Sequence, residues 1–129
     1  MKLFLFSKII VHPACRHLMK ELDRITVPFQ VITAVQALRD VLFKMRTDEA
    51  LFIFLLMEKA DMEILNVMRP QIQDRKIITI LPDDSEQSRS IGCSVLPRYQ
   101  ALVSDDLSMV AEIAARIIRI DGDGDPRFK

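Results

Sequence analysis

Seven consecutive apolar residues, Leu51-Phe52-Ile53-Phe54-Leu55-Leu56-Met57, constrain this chain more than any other stretch. A run of strand length with no polar position fits a central parallel strand buried on both faces. Such a strand needs strand neighbours and helices on each side, and the rest of the chain offers both. Leu3 to Phe6 is a second continuous apolar run. Phe29 to Ile32 reads as a short strand, and Pro28 just before it suits a sheet edge, where a ladder donor can be spared. Ile77 to Leu81 and Ala101 to Val103 complete a set of five.

Between these runs the apolar period changes to that of a helix. Cys15, Leu18, Met19 and Leu22 form one stripe after His12-Pro13, a proline placement tolerated in a first turn. Val35, Leu38, Leu42 and Met45 form a second stripe. Ile64, Leu65 and Met68 form a third, which Pro70 is expected to end or kink. Leu107, Val110, Ala114, Ile117 and Ile118 form the last, opened by the capping residues Ser104-Asp105-Asp106. Asp83 to Ser90 is polar and reads as a surface loop or a frayed short helix. Strands alternating with helices imply right-handed crossovers and a parallel sheet. The expected class is therefore α/β, a three-layer doubly wound five-stranded parallel sheet in the flavodoxin-like order 2-1-3-4-5. Residues 1–120 are read as one domain, and Asp121 to Lys129 as a flexible polar tail.

At 129 residues, half of them hydrophobic, the chain can build a core for one domain. Lysine plus arginine and aspartate plus glutamate both total 18, so the net charge is zero. That balance argues against sequence-independent nucleic-acid binding, which needs a basic excess. Charged residues also interrupt every stretch long enough to span a membrane. Two cysteines, Cys15 and Cys93, do not make a disulfide scaffold. The apolar run near Met1 is too short for a secretory leader. Free thiols and a cytoplasmic location are the expectation.

Few residues promise chemistry. With only Gly92, Gly122 and Gly124 in the chain, the first strand–helix junction, Ser7 to His12, lacks the glycines that let a backbone cradle phosphate. No nucleotide or flavin cofactor is expected. His12, Cys15 and His17 are potential metal ligands, but one helix cannot converge all three, so no metal is assigned. Asp121-Gly122-Asp123-Gly124-Asp125 opens like a calcium loop, yet Pro126 stands where glycine is required. Cys93 has no base that the sequence places beside it, so no catalytic residue is assigned.

The strand order, helix spacing and length over residues 1–120 resemble the response-regulator receiver domain of two-component signalling. An active receiver carries an acidic pair after its first strand, an acceptor aspartate after its third, a hydroxyl after its fourth and a lysine after its fifth. Here those positions fall at Ser7 and Lys8, within Phe54 to Leu56 (centred on Leu55), at Leu81 with Thr79 two residues earlier, and at Ser104. Magnesium needs hard oxygen ligands, and phosphoryl transfer needs the metal and placed charge. Glu58 and Asp61 fall in the next loop and the first turn of the third helix. The resemblance thus implies a degenerate, non-catalytic pseudo-receiver. Its work would be binding a protein partner in signalling or regulation, either a signalling protein or a second copy as a homodimer. The receiver face built from the fourth helix, fifth strand and fifth helix would place Arg98, Tyr99, Arg116 and Arg119 at the interface. The segments Leu56-Met57-Glu58-Lys59-Ala60, with Ile64, and Ile78-Thr79-Ile80-Leu81-Pro82 also resemble the central-stalk F subunit of rotary A/V-type ATPases. The glycine-flanked Gly-Phe-x-Leu-x-Gly type segment of that family is missing from the first helix.

Overall fold

The computed structural model describes residues 1–122. Five strands, β1 (Lys2–Phe6), β2 (Gln30–Ile32), β3 (Ala50–Leu55), β4 (Lys76–Leu81) and β5 (Tyr99–Leu102), form one sheet in the order β2-β1-β3-β4-β5. Every neighbouring pair is parallel. The helices are α1 (Pro13–Arg24), α2 (Val35–Lys44), α3 (Lys59–Ile72), α4 (Glu86–Ser94) and α5 (Leu107–Ile117), the last continued by a π-helical turn, Ile118–Gly122. This is the doubly wound, flavodoxin-like architecture. The tail read from Asp121 lies, past Gly122, outside the described residues.

The sheet sorts its side chains by the two-residue period of a strand. Leu3, Leu5, Leu51, Ile53, Leu55, Ile78 and Ile80 face α1 and α5. Phe4, Phe6, Phe52, Phe54, Ile77 and Leu81 face α2, α3 and α4. The β1–β3 register pairs Phe4 with Phe52 and Phe6 with Phe54. The first pair stacks at 5.3 Å and 18°, and the second meets tilted at 5.9 Å.

Three of the five helices, α1, α4 and α5, begin with a side chain that satisfies a free amide, whereas α2 and α3 have no side-chain cap. His12 caps α1 by accepting from the Ala14 amide through Nδ1, 3.1 Å away. Asp106 caps α5 by accepting from the Ser108 amide. The segment from Asp83 to Ser90, read as a loop or frayed helix, is a short loop to Ser85 followed by helix from Glu86. Ser85 caps α4 through the Ser88 amide, and the helix then runs on to Ser94. Pro70 does not end α3, because the helix continues two residues further to Ile72. At this position the amide lost to proline belongs to the last turn, where little helix remains to be disrupted.

Gly92 on α4 lies against β4 and β5. A Cβ there would stand 2.9 Å from Leu81 Cδ2 and would collide with the Gln100 amide. The space is taken by a buried polar link, in which the Thr79 hydroxyl donates to Gln100 Oε1 at 2.9 Å.

Phe52 is fully buried between two other phenylalanines. Phe52→Ala is expected to lower unfolding free energy by about 3–5 kcal/mol, read from the midpoint of a urea titration.

Candidate functional site

In a parallel α/β sheet, ligand chemistry gathers beyond the carboxyl ends of the strands. Here that end comprises Ser7-Lys8 after β1, Leu55-Leu56 at β3, Leu81 at β4 and Val103-Ser104 after β5. The ladder continues one step past several strands. The Ser7 amide donates to Ile32 O at 3.0 Å, Leu56 to Ile80 O at 2.9 Å, and Val103 to Leu81 O at 2.8 Å.

Ser7 is fully buried. Its hydroxyl donates to the Ile9 carbonyl at 3.3 Å and is also hydrogen-bonded to the Cys15 thiol of α1. Burial pushes that thiol above its ordinary range, and the bond to Ser7 only partly opposes the shift. Ser7 therefore ties the first junction to α1. Lys8 is exposed, as is Ser104. Leu55 is buried toward α1 and α5, while Leu56 and Leu81 are buried toward the opposite helices. The carboxyl end of β3 is thus filled by leucine on both faces of the sheet. Thr79 offers its hydroxyl to Gln100 inside the α4 layer.

One acidic group at this end is buried in a way the sequence did not announce. Asp61, in the first turn of α3, is 2% exposed. Its Oδ2 accepts from the Met57 amide at 2.9 Å, while Oδ1 is buried without a hydrogen-bond partner among the described residues. The Met57 amide is captured by this carboxylate, which turns the chain from β3 into α3. The exposed acids Asp83 and Asp106 cap the loops ahead of α4 and α5. Hydrogen bonds from Ser85 hold the Asp83 carboxyl below the usual carboxylate range, and hydrogen bonds from Ser108 do the same for Asp106. These carboxylates are engaged by backbone and hydroxyl donors. Among the described residues, no group of three or more His, Cys, Asp or Glu stands where it could hold a metal ion.

The four residues expected at an interface fall into two places. Arg98 is exposed just before β5, its amide donating to Ile77 O at 2.7 Å. Tyr99 is half-buried against the α1–α5 side of the core. Arg116 and Arg119 are exposed and line a shallow groove with Ile25, Glu112 and Ala115. Sequence reasoning passed over Phe43 on α2, which is 91% exposed, and Val67 on α3, which is 64% exposed. The available signal was an aromatic residue standing outside the stripe Val35, Leu38, Leu42, Met45.

No family model matches the chain, and no curated protein matches it. Among the described residues, no helix is long and apolar enough to cross a membrane.

Both cysteines are free; Cys15 is buried and Cys93 exposed. A disulfide-exchange reagent should therefore label Cys93 in the native protein and leave Cys15 untouched until denaturant is added. Two rapidly reacting thiols before unfolding would show that α1 does not shield Cys15.

Proposed function

We propose that this chain is a receiver-like binding module that works without aspartyl phosphorylation, as a cytoplasmic protein–protein interaction domain in signalling or regulation. The observation that carries this reading is the leucine-filled acceptor slot. Leu55 and Leu56 are fully buried where a receiver would present its carboxylate. The first junction offers Ser7, held by Ile9 and Cys15, and Lys8, a cation where a magnesium site would want acids. Asp61, the buried acid in the first turn of α3, spends one oxygen on the Met57 amide.

Support for binding comes from the surface. Leu96, in the turn between α4 and β5, is 68% exposed beside Arg98. An apolar side chain next to an arginine on an exposed turn is the composition of an interface centre and its rim.

Incubation with magnesium and acetyl phosphate, followed by intact mass measurement, tests the chemistry. No phosphoryl adduct is expected, under conditions that phosphorylate an active receiver. An adduct mapped to Asp61 or any other aspartate would overturn the proposal. Stoichiometric co-purification with rotary ATPase subunits would replace it with the stalk-subunit reading.

A further inference from the structure

A groove of about 530 Å³ runs between α2 and α3, with Leu42 and Met68 at its base and Phe43 and Gln71 on its walls. It continues past Arg39 to Glu63, Ile64 and Val67. Both helices follow strands of one parallel sheet and cover the same face, so they run parallel. Their outward rows match in height, because Arg39 lines one stretch of the groove with Glu63 and Phe43 lines the next with Gln71. Val35, Arg39 and Phe43 rise along one wall, and Glu63, Val67 and Gln71 along the other.

The walls are tied together before anything binds. The Arg75 guanidinium donates to Leu42 O at 2.6 Å and Met45 O at 2.9 Å, while its Nε donates to Gln71 O at 3.0 Å. Those bonds satisfy free carbonyls at the end of α2 and hold it to α3. A preformed groove spends little binding energy on ordering. Its charges are open: Arg39 and Glu63 line the same groove, yet among the described residues neither makes an ion pair or a hydrogen bond.

The geometry points to a second copy of this chain as the occupant, related by a two-fold axis running along the groove. That axis lays α2 of each copy over α3 of the other. Phe43 then enters the second copy's groove near Met68 and Gln71, and Arg39 faces Glu63 of the second copy, twice by symmetry. A two-fold axis set across the helices at the height of Arg39 would oppose Arg39 to Arg39, so charge complementarity favours the first arrangement. The chain's zero net charge leaves no overall repulsion between copies. Helices of 10 and 14 residues give faces only about 15 and 21 Å long. Such a patch lies at the small end of specific interfaces, so the dimer is weak, with a dissociation constant of roughly micromolar or higher.

This inference rests on reading the chain as a binding module and names one partner for it. Sedimentation velocity of the full chain, over about three decades of concentration into the millimolar range, tests it directly. A reversible monomer–dimer equilibrium is expected. Phe43→Asp should weaken it by about tenfold or more. Because Phe43 is 91% exposed, its replacement should leave the thermal midpoint of the monomer within about 3 °C. Arg39→Glu and Glu63→Arg should each weaken the dimer, and the two together should restore it to within about threefold of the parent.

A monomer throughout the series would overturn the inference, as would a dimer unmoved by Phe43→Asp. A dimer that responds to Phe43→Asp but not to either charge reversal would overturn the two-fold arrangement. A monomer that binds a different protein through Phe43 would give the groove to that partner instead. A monomer that also gains no phosphoryl group removes only this inference, whereas an aspartyl phosphate removes the proposed function whatever the sedimentation shows.

Discussion

The pairing of β1 with β3 is the interaction on which the remaining structure depends. It is made from two runs, Leu3 to Phe6 and Leu51 to Leu55, in which aromatic and aliphatic residues alternate. In register, the aromatic positions fall on one face of the sheet and the aliphatic positions on the other. The two helical layers meet different surfaces as a result, one of broad rings and one of branched side chains. A shift of one residue would place rings against α1 and α5, where the present partners are Ala111, Ala114, Ala115 and Leu18. Close packing of those small residues therefore disfavours the wrong register as well as rewarding the right one.

The same packing carries leucine to the carboxyl end of the sheet. Where the chain leaves β3, Leu55 and Leu56 each continue one layer of the core. Three polar groups near this end are engaged by their neighbours, Ser7 by Ile9 and Cys15, Thr79 by Gln100, and one Asp61 oxygen by Met57. Leucine at the end of β3 thus joins both cores, while the exposed apolar residues Phe43 and Val67 lie on α2 and α3.

Most of the architecture was legible because it rests on period and run length. The apolar runs located every strand, and the stripes on four helices located their buried faces. Legibility failed where structure depends on contacts distant in sequence or on a single atom. The fourth helix shows no apolar stripe from Asp83 to Ser90. It is ordered by the Ser85 cap and by a seat for Gly92 that residues of β4 and β5 create. The strand read through Met57 stops at Leu55, and the Met57 amide is bonded to Asp61 Oδ2. Burial of a lone aspartate has no signature in composition. At the carboxyl end of the sheet, the sequence supplied the identities of Ser7, Lys8, Leu55 and Leu81. It did not supply the exposure of Phe43, which depends on how α2 is turned against α3.

The topology also sets a schedule for synthesis on the ribosome. The first strand begins at Lys2, but its central partner begins at Ala50. At roughly 5–20 residues per second, about 2–10 s separate the two. During that interval Leu3 to Phe6 can pair only with the three-residue edge strand β2. The nascent chain thus carries an unsealed apolar segment for seconds. Its yield in a cell will be governed by what shelters that segment as much as by the stability of the finished fold.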